Sequence, residues 1–160
     1  MNIWKKVLAI SLAVGLSVGI SIAPVYADTT SILDEITDEE TTEDYAEDTS
    51  TILARSSYLN FGNATIKKVA SNEIIISGLT QCHRKCSKVY LSIYLERKVN
   101  GSYGTYKYWN FTANNASSLS KTIDVAVPSG TYYRVRGYHA ASQSGKKEST
   151  STLTQGIMVK

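Results

Sequence analysis

The sequence predicts an all-β protein, an antiparallel β-sandwich of about seven strands, and three observations predict it. From Tyr58 onward apolar and polar residues alternate with a period of two. Turn-forming residues punctuate that alternation about every ten positions, and no long stretch carries the ~3.6-residue period of a helix.

Two segments precede the alternating region. In the first, Lys5 and Lys6 stand before an uncharged stretch from Val7 to Ile22, and Pro24, Val25, Tyr26 and Ala27 follow it. That order is a secretory signal peptide with cleavage after Ala27. The apolar stretch counts 16 residues, fewer than the ~20 a spanning helix needs. No Cys follows it to take a lipid, and the C-terminal Gly156–Lys160 carries no wall-sorting tail. The mature chain is therefore expected to be secreted, with no transmembrane segment.

The second segment is acidic. Ten carboxylates lie between Asp28 and Asp48 with no Lys or Arg among them, whereas residues 51–160 carry fifteen Lys and Arg against Glu73, Glu96, Asp124 and Glu148, a net charge of +11. Self-repulsion and few apolar residues make residues 28–54 read as a disordered linker or pro-region. It serves either as a solvating spacer or as a screen lying on the basic domain until displaced.

Residues 55–160 are the expected domain. Strands are placed near Ala64–Ala70, Glu73–Leu79, Lys88–Lys98, Tyr103–Thr112, Leu119–Val127, Thr131–Ala140 and Ser149–Val159. The third is the clearest, because Val89, Leu91, Ile93 and Leu95 alternate with Tyr90, Ser92, Tyr94 and Glu96. Asn100-Gly101 then supplies a hairpin turn, whose two central positions both want positive φ. Pro128-Ser129-Gly130 breaks the fifth strand from the sixth. So many short antiparallel strands in so few residues point to a two-sheet Greek-key sandwich.

The segment PSGTYYRVRGYHAA resembles the sixth strand of fibronectin type III and related immunoglobulin-like domains, a likeness that implies Tyr133 as the buried corner tyrosine. The second strand, EIIISGLT, lacks the tryptophan those folds carry. The leader, the acidic run, SGLTQCHRKCSKV, YLERKVNGSYGTYKYW and YYRVRGYHAA together are similar to an uncharacterised family of small exported proteins of Gram-positive bacteria. That resemblance implies an extracellular setting and no assigned activity.

Candidate sites are few. Cys82 and Cys86 frame three residues between the second and third strands, and outside the cell they are expected to form a disulfide. The alternative is a metal site with His139 or His83, but a single close pair without C-x2-C spacing is a poor zinc ligand set. No metal and no cofactor are expected. Strand direction gathers the loops at 81–87, 113–118 and 141–148 at one pole, with His83, Arg84, Lys85, Asn114, Asn115, Lys146 and Lys147. If Val89, Leu91, Ile93 and Val135 face the core, Tyr90, Tyr94, Tyr132, Arg134, Arg136 and Tyr138 share the opposite face, with Tyr106 and Tyr108 beside them. Such a face stacks sugars or holds anions, or else is a cross-strand ladder that stabilises the sheet.

Only two His and four carboxylates remain in the domain, and no G-x-S-x-G or Cys-His signature appears, so no enzyme is expected. The leading expectation is a noncatalytic binding module for an anionic or glycan partner of the cell envelope. Nucleic acid would suit the charge but lacks a motif. The alternative is a secreted bacteriocin-like antagonist, with the acidic run as a pro-region cut near Leu53-Ala54-Arg55-Ser56.

Overall fold

The computed structural model describes residues 40–51 and 56–160. The expected signal peptide, residues 28–39 and 52–54 of the acidic segment, and Arg55 lie outside the described residues. Eight strands follow in order: β1 (Glu40–Thr41), β2 (Tyr45–Thr51), β3 (Leu59–Ala70), β4 (Glu73–Val99), β5 (Ser102–Ala126), β6 (Thr131–Gln143), β7 (Lys146–Leu153) and β8 (Gly156–Val159). The protein is all-β, as its alternation predicts, and its one mixed sheet curls into a nearly closed, sandwich-like barrel.

β4 spans what the alternation presents as the second and third strands, and β5 spans the fourth and fifth. The break between the second and third is a change of phase. In the first half of β4 the buried residues are Ile74, Ile76, Gly78, Thr80 and Cys82, all even; from Val89 onward the buried hydrophobic residues are Val89, Leu91, Ile93 and Leu95, all odd. A bulge between them switches the parity, because Gln81 pairs with Ser118 and Cys86 with Ala116, five steps on β4 against two on β5. Across from the bulge Asn115 takes a left-handed conformation, φ 50°. The hairpin closes at Asn100 and Gly101, φ 52° and 85°, as the turn chemistry requires.

The long hairpin thereby serves both layers. The first half of β4 pairs with β3, and its second half with β6 from Lys88–Ser142 to Arg97–Tyr133. The two arms of β5 meet again at the open side, where Lys107 Nζ lies 3.4 Å from the Ala126 carbonyl and Lys121 Nζ lies 5.4 Å from the Phe111 ring centroid. Across the core β3 packs on β6 and β7. Leu59, Ile66, Ile74, Ile76, Leu91, Ile93 and Leu95 fill the interior, and each contributes about 1.5–3 kcal/mol on burial.

The chain packs tightly around His139. A Cβ on Gly62 would stand 2.2 Å from the imidazole and one on Gly137 would stand 2.4 Å from Thr152 Oγ1, so both positions need glycine. Tyr133 is fully buried and its hydroxyl donates to the Pro128 carbonyl at 2.8 Å.

The acidic segment corrects its expectation. Residues 40–51, read as part of a disordered linker, form β1, parallel to β8, and β2, antiparallel to β3. Charge repulsion is relieved by specific partners: Asp44 with Lys68 at 2.5 Å, Glu40 with Lys98 at 2.5 Å, and Asp48 accepting from the Leu153 amide at 2.7 Å. Since β1 and β2 are neighbours in the chain but terminate opposite ends of the strand order, residues 42–44 stitch the two layers together.

Candidate functional site

The outer face of β4 and β6 carries the predicted ladder. Register sets Tyr94 beside Arg136 and Tyr108, Ser92 beside Tyr138, and Glu96 beside Arg134. Glu96, only 6% exposed, accepts from Arg134 Nε at 2.7 Å and Arg136 Nε at 2.8 Å. Arg134 lies 4.0 Å from the Tyr103 ring centroid and Arg136 4.3 Å from that of Tyr94, which stacks on Tyr108 at 6.1 Å. Lys147 caps Tyr90 at 4.8 Å and Tyr138 at 5.5 Å, and Lys98 lies 5.9 Å from Tyr132.

These pairings settle what the face offers. Arg134, expected to meet a partner, is 8% exposed and committed to Glu96 and Tyr103, so it does not present its charge to solvent. Arg136 shares Glu96, and the rings of Tyr90, Tyr94 and Tyr138 are covered by cations of the chain itself. Tyr108 stays 63% exposed at the edge. Tyr106 departs from the expected face: it is the extra residue between Lys107 and Thr105 in the β4–β5 register and packs edge-on against Tyr133. Glu96 is the residue the sequence left without a role, although its even number put it in phase with Tyr90 and Tyr94.

Of the expected basic pole, Lys146 and Lys147 come together in a cleft with Lys88. Lys88 pairs with both Asn114 and Ser142, and the Gln143 side-chain oxygen accepts from the Ser87 amide at 2.7 Å and its hydroxyl at 2.8 Å. Beside this junction the β6–β7 turn, with Ser144 and Gly145 at φ 51° and 77°, lifts Lys146 and Lys147. The result is a cleft of about 260 Å³ lined by Ser87, Lys88, Tyr90, Gln143, Lys146 and Lys147, with no carboxylate in its lining. His83, Arg84 and Lys85 are exposed on the bulge, and Arg84 lies 5.0 Å from the Tyr58 ring centroid.

Glu148 follows the cleft lysines but serves the other side of β7. Burial alone would raise its pKa; donors from Ser56 Oγ and the Leu59, Ser57 and Tyr58 amides outweigh that and hold it at about 2. Its charge thus ties the start of β3 to β7 and leaves the cleft unneutralised.

Cys82 and Cys86, expected as a disulfide, are two buried free thiols in hydrogen-bond contact. Burial, the neighbouring Cys86 and the charge of Glu148 push the Cys82 thiol up to about 12, so it is no nucleophile at neutral pH. His139, weighed as a metal ligand beside them, has both nitrogens engaged: Nδ1 with Thr80 Oγ1 at 3.0 Å and Nε2 with Thr152 Oγ1 at 2.9 Å. Burial lowers its pKa to about 4, so the imidazole is neutral. Among the described residues no three His, Cys, Asp or Glu side chains gather as a metal site.

No curated protein matches the chain at a significant level. The sequence pattern of DUF6147 does match, over residues 32–157, a span that takes in every described strand but the last two residues of β8. The chain therefore belongs to that family, a family of unknown function.

Proposed function

We propose that this protein is an exported, noncatalytic binding module whose basic pole holds an anionic polymer of the cell envelope. One observation carries the reading: Lys88, Lys146 and Lys147 surround a cleft that no carboxylate lines. The hydroxyl of Ser142 lines it too, so a phosphate or carboxylate would meet a donor as well as charge. The leader-like first 27 residues support export, and the local cluster of Lys88, Lys146 and Lys147, not the overall charge, supports attraction of a polyanion at short range.

Three finer points belong to the same proposal. Outside the cell the adjacent Cys82 and Cys86 would close to a disulfide and stiffen the bulge. A Gram-positive source follows from the sequence resemblance. Kinship with fibronectin-like sandwiches is supported by the hydrogen bond of Tyr133 to Pro128.

The test is retention of the full-length protein on isolated envelopes across a salt series. Exposed charges act over ~8–10 Å at physiological salt, so retention should fall as salt rises. Replacing Lys88, Lys146 and Lys147 together by Gln should abolish retention at low salt without loss of cooperative melting. Retention that persists in the triple variant, or is no greater than that of an unrelated basic protein, overturns the reading.

A further inference from the structure

The opposite end of β4 holds a second opening. Arg97 lies on the core-facing side of the sheet, in register with Gly104 on β5 and Tyr133 on β6. Because its β5 neighbour is glycine, nothing fills the space next to the guanidinium, and a cavity of about 370 Å³ opens there. Val99, Tyr103 and Tyr106 form its apolar walls, with Val99 54% and Tyr106 38% exposed, and Ser102 and Thr105 bring hydroxyls. Arg97 Nε is buried with no hydrogen-bond partner. Glu40, which reaches the Tyr103 hydroxyl at 3.2 Å, is itself paired with Lys98.

A buried guanidinium nitrogen left unpaired costs free energy that an incoming acceptor would recover. Guanidinium matches carboxylate geometry, tyrosine rings pack on the C–H face of a sugar, and hydroxyls suit its polar rim. The volume lies at the small end of ligand pockets, near ~300 Å³, which fits one ring and excludes a long acyl chain. We propose that this cavity binds a carboxylated sugar ring, a hexuronate, with the carboxylate on Arg97 and the ring against Tyr106. The site lies nine positions along β4 from Lys88, roughly 30 Å at ~3.3 Å per residue, so it stands or falls independently of the basic cleft.

Sodium glucuronate titrated into the full-length protein, followed by backbone amide NMR, tests this. The Gly104, Thr105 and Tyr106 amides should shift with saturation, and glucose and acetate should each bind at least about tenfold more weakly, since each offers half of the recognition. Two variants isolate the site. Arg97→Gln removes the charge. Gly104→Leu fills the cavity, and it is spatially tolerated because a Cβ there meets nothing within 4 Å. Both should lower glucuronate affinity at least about tenfold. If Arg97→Gln does not fold, Gly104→Leu decides alone. Absence of shifts at these amides in tens of millimolar glucuronate, acetate binding as tightly as glucuronate, or unchanged binding by Gly104→Leu overturns the proposal.

Discussion

Glu96 shows how one carboxylate organises a whole face. It is nearly buried and holds two guanidinium groups that in turn lie on Tyr103 and Tyr94. Removing a buried partner strands the other charges, so Glu96→Ala should lower stability by about 3 kcal/mol, whereas replacing exposed Lys146 by Ala should change it by less than about 0.5 kcal/mol. Chemical denaturation of both variants checks the contrast. His139 makes a second prediction. Its folded pKa of about 4 lies below the ordinary 6.5, so the unfolded chain takes up a proton first as pH falls. Stability should be full above pH 6.5 and drop by about 3 kcal/mol as pH falls to about 4. Glu148, held at about 2, adds a further loss between its ordinary 4.5 and about 2, again because the unfolded chain protonates first. Melting curves at stepped pH should show both stages, and His139→Gln should remove only the upper one. The face of tyrosines and arginines was legible from alternation alone, because parity fixes which side a strand residue takes. That Glu96 would neutralise those arginines was not, since parity does not say which cross-strand neighbours meet.

At the scale of elements, local chemistry was most informative where it concerned turns. Asn100-Gly101 marked the β4–β5 turn correctly, and Pro128 and Gly130 marked the break before β6. The same logic misplaced the ends of β4, because a bulge with a phase change looks in sequence like a loop between two strands. Cys82, His83, Arg84, Lys85 and Cys86 offered polar residues where a regular strand would alternate, yet the Leu59–Cys82 pairing and the hydrogen bond from the His83 amide to the Tyr58 carbonyl keep that stretch in the sheet. The acidic strands were invisible for a different reason. β2 buries Ala46 alone among its described hydrophobic side chains, so its sequence carries little apolar signal; its place depends on β3 edge pairing and on Asp48 meeting the Leu153 amide.

For the whole molecule the consequence is that the acidic residues are part of the sheet. Deleting residues 28–54 removes β1 and β2, bares the edges of β3 and β8, and discards the partners of Lys68, Lys98 and Leu153. Such a chain should melt well below the full-length protein and aggregate through its exposed edges, which calorimetry and light scattering would register. An antagonist that matured by cutting near Arg55 would lose the same strands. The parallel pairing of β1 with β8 also orders events in time. Glu40 and Thr41 wait for Gly156 and Ile157, 116 positions further along the chain, while the β4–β5 hairpin closes locally around Asn100. Folding is thus expected to zip outward from the β4–β5 hairpin and to finish where β1 meets β8, so the closing contacts carry the largest loop entropy and the slowest step.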